Sequence, residues 1–187
     1  MHRYEEPRYA ELIEEIFYGP TASFRWNELG LTEDDELRAF RRERMSAKPT
    51  LRIAARKGDE LVGWCYAFAD RPDALYMASS AVLRGHRRRG LYRAMAKVVV
   101  DLAREAGFHF VHSNHVCTNN PILLAKLAMG FYVRGLTLSP DMGNLLSLEY
   151  PLTEVRKRAL LARSGLVPMT PTMASMITES LQGPGDV

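Results

Sequence analysis

AVLRGHRRRGLYRAM, residues 81–95, passes from an apolar run into a basic loop and then into a stretch with helical periodicity. The loop is bounded by Gly85 and Gly90 and holds His86, Arg87, Arg88 and Arg89. Three readings compete for it. A nucleic-acid surface spreads cations and aromatic groups over several elements. Here Arg84, His86, Arg87, Arg88 and Arg89 crowd into one turn, while the whole chain sets 25 Lys+Arg against 22 Asp+Glu, net +3. A plain solvated turn gives no reason for a glycine where a helix starts, at a cost of about 1 kcal/mol relative to alanine. An anion cradle does give one. A strand that turns into a helix offers unpaired N–H groups and a positive dipole end. A residue without Cβ lets a phosphate reach them, and the guanidiniums add charge.

Outward from the loop, TLRIAARKGDELVGWCYAFAD (residues 50–70) predicts two strands around a turn at Lys57-Gly58-Asp59, and ALYMASSAVL (74–83) a third. Residues 91–106 predict the strongest helix, with Leu91, Met95, Val98, Val99 and Leu102 on one side and Gly107 as its stop. FHFVHSNHVC (108–117) predicts another strand. Asn119-Asn120-Pro121 opens a short helix ending at Gly130, and FYVRGLTLS and NLLSLEYPL predict two final strands. Upstream, apolar spacing predicts a helix at 8–17, and Thr32 before four acids caps another running to about Met45. The order implies a mixed α+β sheet with helices on its faces.

Two motifs in this order carry a family resemblance. AVLRGHRRRGLYRAM resembles the acetyl-CoA loop of the GNAT N-acetyltransferase superfamily, with Arg87 five residues after Val82 and Gly90 closing Arg-x-x-Gly. The last small residue of that pattern is here Tyr92. CTNNPILLAKLAMGF resembles the second half, with Asn119 eleven residues before the Gly130-Phe131 pair. The resemblance covers about residues 50 to 150. It implies a GNAT-like, mostly antiparallel sheet of six to seven strands flanked by helices on both faces. The domain would be 1–151, with N-terminal helices over 8–45 and a core over 50–151. Residues 152–187 would be an amphipathic helix and a partly disordered tail.

The resemblance also implies chemistry: acetyl transfer from acetyl-CoA to a primary amine by direct attack, without a covalent enzyme intermediate. Main-chain groups of Ser80, Ala81 and Val82 would hold the thioester and pantetheine. Amides of Arg87, Arg88, Arg89, Gly90, Leu91 and Tyr92 would hold the pyrophosphate, with Asn119 and Lys126 also on the cofactor. Lys126 stands four residues before Gly130, where many members carry a tyrosine that protonates the departing thiolate. An ordinary lysine is a weak acid at neutral pH, so Lys126 is read as proton donor, phosphate contact or solvent-facing residue. His115 is the leading candidate base, beside Asn114 near the expected reaction centre, and Glu149 is the second. Strand alternation sets His109 and His115 on one face and His112 on the other, which argues against a metal site. Phe24, Trp26, Phe40, Trp64, Tyr66 and Met142 are candidate acceptor-lining residues. A non-catalytic acyl-CoA-binding or protein-interaction module on the same fold is the alternative.

The rest of the sequence narrows the setting. A hydrophobic share of 47% and a charged share of 25% are ordinary for a soluble domain. The apolar runs are too short to span a bilayer, and the acid-bearing N-terminal stretch does not read as a signal peptide. Cys65 and Cys117 read as reduced, buried thiols. The expected setting is cytoplasmic. The partners are a small-molecule or peptide amine, with no nucleic acid, membrane or metal, and the fold is compatible with a homodimer.

Overall fold

The computed structural model describes residues 34–46 and 48–181. The chain forms two compact units, Met1–Tyr150 and Pro151–Val187. In the first, helix α1 (Asp35–Ser46) opens where Asp34 Oδ1 accepts the Glu36 amide at 2.9 Å. Asp34 stands directly before that helix. Thr32, Phe24, Trp26 and the helix expected at 8–17 lie outside the described residues.

Strands β1 (Thr50–Lys57) and β2 (Glu60–Arg71) form an antiparallel hairpin whose turn uses Gly58 at φ 58°. Strand β3 (Ala74–Val82) runs antiparallel to β2. Its register steps from Ala67↔Met77 to Tyr66↔Ser79, so Ala78 is an extra residue and bulges the strand. A 3₁₀ turn (Arg84–His86) leads to helix α2 (Leu91–Glu105), then β4 (Phe110–Val116), parallel to β3. Helix α3 (Asn120–Ala128) and the hairpin β5 (Tyr132–Ser139) and β6 (Gly143–Pro151) complete the unit. The sheet order is β1-β2-β3-β4-β6-β5, so β6 inserts between β4 and β5. Among the described residues the sheet has six strands, mixed and mostly antiparallel, as the sequence predicted.

The core differs from the sequence reading in one respect. Helix α2 buries Met95, Ala96, Val99, Val100 and Ala103, whereas Val98 and Leu102 are exposed. The contact stripe runs through the alanines because small side chains let the helix axis approach the sheet. Period-3.6 scoring weighted toward large apolar residues tilts the stripe the wrong way. Beneath α2 lie Leu75, Met77 and Val111, all nearly inaccessible. Gly63 faces the same side, where a Cβ would meet Met95 Cε at 3.3 Å and the Ala81 carbonyl oxygen at 3.0 Å.

In the second unit, α4 (Glu154–Arg163) is capped by Thr153, whose hydroxyl accepts the Arg156 amide. Residues that read as a Pro-, Met- and Thr-rich appendage form a second helix, α5 (Pro171–Leu181). The Thr170 hydroxyl accepts the Met173 amide at 3.2 Å, with Pro171 in the first position. That Thr-Pro pair is a helix-start signal legible in the sequence.

Helix α3 ends at Gly130, whose φ of 93° favours glycine and where a Cβ would lie 3.4 Å from the Tyr150 ring. Gly130→Ala is expected to cost about 1–2 kcal/mol, read as a lowered urea midpoint at unchanged m-value.

Candidate functional site

The site is made by two strands that stop pairing. β3 and β4 are bridged at Ala74↔Phe110, Leu75↔Val111 and Tyr76↔His112. From Met77 onward β3 stays paired to β2 alone, so its other edge, through Ser80, Ala81 and Val82, faces an opening toward β4. Such an edge presents main-chain donors and acceptors to an extended ligand.

The basic loop stands at the end of that edge. The Arg87 guanidinium folds back, its Nε donating to the Val82 carbonyl at 2.9 Å. The Arg87 amide is 3.4 Å from the Arg84 carbonyl oxygen, so the amides open to a ligand begin at Arg88. Arg88 (φ 61°) and Gly90 (φ 78°) are both left-handed. Gly90 caps α2 without a side-chain hydrogen bond, leaving the first amides of the helix directed outward. Nothing lies within 4 Å of where a Gly90 Cβ would be. With Arg89 and Leu91 this makes an open, basic loop of the kind that takes phosphate. Tyr92 turns inward from it: its buried hydroxyl has no partner among the described residues, and burial first, then Cys65, raise its pKa.

Lys126 occupies the middle of the cluster. It is fully buried, so neither the solvent-facing nor the phosphate-contact expectation describes the side chain. The local geometry explains its place. Gly130 reverses the chain, and the Phe131 amide donates to the Lys126 carbonyl at 3.1 Å. The Phe131 ring then lies 3.8 Å from Lys126 Nζ. The amine also donates to Met77 Sδ at 2.9 Å, directly after the last β3–β4 bridge. Among the described residues no carboxylate pairs with it. Burial therefore lowers its pKa to about 7, with Cys65 acting weakly the other way. Cys65 accepts from the Ser80 hydroxyl at 3.1 Å, and burial pushes its thiol up.

The three strand histidines are not brought together. On the Lys126 side, His115 Nε2 lies 2.9 Å from the Ser113 hydroxyl. Burial first, then the Lys126 charge, lower its pKa to about 4. On the other side, His112 Nε2 lies 2.9 Å from Asp70 Oδ1. Sequence reading placed His112 on the opposite strand face from His109 and His115, and only tertiary structure carries Asp70 of β2 to it. Glu149 sits between Arg71 (3.5 Å) and Arg134 (3.4 Å). Asn119 is exposed at the start of α3 and makes no side-chain cap bond. Asn114 Oδ1 accepts from Ser147 at 2.8 Å. Of the proposed lining residues, Trp64 is core, its Nε1 donating to Ser79, whereas Phe40 and Met142 are exposed and Tyr66 is half-buried.

The family model of the GNAT acetyltransferases matches residues 10–131, and the chain belongs to that family. Solved structures share the fold at low identity. Nourseothricin acetyltransferase aligns with a TM-score of 0.51 at 21% identity, over 56% of this chain and 66% of its own. The yncA structure from Salmonella typhimurium, with its cofactor acetyl-CoA, reaches 0.55 at 19% over 81% and 93%. A Bacillus subtilis acetyltransferase in complex with CoA reaches 0.52 at 15% over 66% and 95%. Comparison with the curated proteins returns no match.

The lowered Lys126 pKa has a consequence for stability. The folded protein releases this proton near pH 7, whereas the unfolded chain keeps it to about 10.5. The unfolded state therefore binds more protons across that window, so stability rises with pH and is lost as pH falls through 7. Lys126→Met, similar in volume and uncharged, is expected to stabilise the protein by a few kcal/mol at pH 7 and below, on the order set by the shift. The gain should shrink toward pH 10, measured as the difference in urea midpoints across the range.

Proposed function

We propose that the protein is an N-acetyltransferase that takes an acetyl group from acetyl-CoA and delivers it to a primary amine by direct attack. The observation that carries this reading is the unpaired edge of β3 running into a helix start whose amides are uncapped. An extended pantetheine fits the first and a diphosphate the second. Main-chain groups of Ser80, Ala81 and Val82 hold the thioester arm, amides from Arg88 through Tyr92 hold the pyrophosphate, and Arg89 and Asn119 flank it. Arg87 ties the loop to the strand end. The unpartnered Tyr92 hydroxyl fits a ligand atom entering beside Cys65.

Acetyl-CoA supplies an activated acyl group, and its transfer leaves a thiolate that needs a proton. Lys126 is the donor in this reading. At its ordinary value a lysine holds its proton too tightly, whereas near pH 7 the ammonium is matched to the task. Its amine adjoins Met77, where the strands part. His115, with a pKa near 4, is too weakly basic to strip an ammonium and instead orients Ser113. Glu149 is engaged by two guanidiniums, those of Arg71 and Arg134, and takes no part in this reading.

The test begins with thermal shifts against acetyl-CoA, CoA and an oligonucleotide. Stabilisation by the CoA species alone is expected; a response to the oligonucleotide alone would overturn the reading. Gly90→Glu places a carboxylate in the cradle and is expected to abolish the acetyl-CoA shift. Thiol release across an amine panel then separates a transferase from a non-catalytic acyl-CoA-binding module. Lys126→Met is expected to slow release at least tenfold. It should also remove the alkaline decline that the parent protein is expected to show through about pH 7.

A further inference from the structure

The proton donor and the cradle leave one function unfilled, the removal of a proton from the acceptor. On the reading above, an amine arrives as an ammonium and must lose a proton before it attacks. We infer that His112, held by Asp70, is the residue that takes it, and that the amine enters from the face of the sheet opposite Lys126.

The placement rests on strand geometry. Val111 and Ser113 point into the helix-covered core and are inaccessible, so His112 and Asn114, alternating with them, point to the other face. His112 is in the last residue pair bridging β3 and β4, at the closed end of the opening. Met77, the next residue of β3 after its partner Tyr76, contacts Lys126. Donor and base thus flank the apex of the opening from opposite sides. A thioester seated at the apex would then meet the amine from the His112 side, with Lys126 attending its sulfur from the other.

Asp70 determines which nitrogen works. An ionised carboxylate only accepts hydrogen bonds, so the proton of the 2.9 Å contact sits on Nε2. Nδ1 then carries the lone pair, and among the described residues it has no partner. The Tyr76 ring lies 5.0 Å from the imidazole and its hydroxyl bonds the Asn114 side chain, which fixes the wall beside it. The other charges that the described residues place on this face have partners of their own. The Ser147–Asn114 bond and the bond from the Cys117 amide to the Asn144 carbonyl set β4 and β6 in opposite directions. That register puts Glu149 across from His112, with its charge taken up by Arg71 and Arg134. Asp70 has no lysine or arginine partner among the described residues, so its carboxylate is directed to the imidazole alone.

The same face indicates the substrate class. Rings of Tyr66, Phe68 and Tyr76 run in contact from β2 toward His112, with centroids 5.8 and 5.5 Å apart. Arg52 and Lys48 already sit 5.8 Å over two of them. A row that seats cations and ends at an Asp–His pair suits a protonated alkylamine.

The step balances. The ammonium gives one proton to His112 Nδ1, which passes it to solvent. The free amine forms the C–N bond as the C–S bond breaks. Lys126 protonates the thiolate and is restored by the second amine proton.

The test is thiol release from acetyl-CoA with spermidine or benzylamine, both protonated at neutral pH, against hydroxylamine, which is largely unprotonated there. His112→Gln is expected to lower kcat with the alkylamines on the order of a hundredfold. Its acetyl-CoA thermal shift and its hydroxylamine rate should stay near those of the parent. Asp70→Asn should lose the acidic limb of the pH–rate profile, and Asp70→Glu should restore most of the rate. Equal losses with all three amines, or none, would falsify the assignment. If the parent protein binds acetyl-CoA but releases no thiol with any of them, the transferase reading fails and takes this inference with it.

Discussion

Three residue pairs join β3 to β4, and past Tyr76↔His112 the two strands separate. A parallel ladder needs its strands to keep one spacing and one twist, and the extra residue at Ala78 breaks the regular register of β3 just beyond the last pair. The core does not need those missing bonds, because β3 remains paired to β2 and α2 covers Leu75 and Met77 from one side. The molecule therefore keeps a stable sheet while leaving one strand edge unused. The cradle at Gly90, the buried amine of Lys126 and the Asp70–His112 pair are all positioned with respect to that opening.

Lys126 illustrates how burial changes chemistry without changing the residue. In water a lysine would be fully charged at neutral pH and of little use as an acid. Enclosed by Met77, Phe131 and Cys65, with no carboxylate among the described residues to compensate, its charged form is penalised until the proton becomes labile near pH 7. The same removal from water acts oppositely on neighbouring thiol and phenol groups, whose neutral forms burial favours. Cys65 and Tyr92 are thereby kept protonated around an amine that can release its proton. Each group's titration depends on the others, and none of it can be assigned to a residue taken alone.

Much of the fold was legible. The β1–β2 hairpin follows from Lys57-Gly58-Asp59, the α2 start from Gly90, and the α3 stop from Gly130, because turn and cap chemistry is local. The site was legible only in part. Arg87 and Gly90 were found by spacing, but spacing does not show that the Arg87 Nε donates to the Val82 carbonyl and ties the loop to the strand end. His115 was preferred to His112 because the resemblance sets the C-terminal end of this strand beside the cofactor sulfur, while the partner of His112, Asp70, is distant in the chain. Their difference is which side of the sheet is covered, and that is settled by helices and strands distant in the chain.

The order of strands and helices, the glycine-bounded basic loop and the four-residue step from Lys126 to Gly130 were determined by the sequence alone, since each depends on neighbours along the chain. Which groups are charged and which are hydrogen-bonded was decided only by tertiary structure. Proton affinity depends on desolvation and on partners such as Asp70, 42 residues from His112, and Met77, 49 residues from Lys126. Those partners meet only after the sheet has closed on one side and opened on the other.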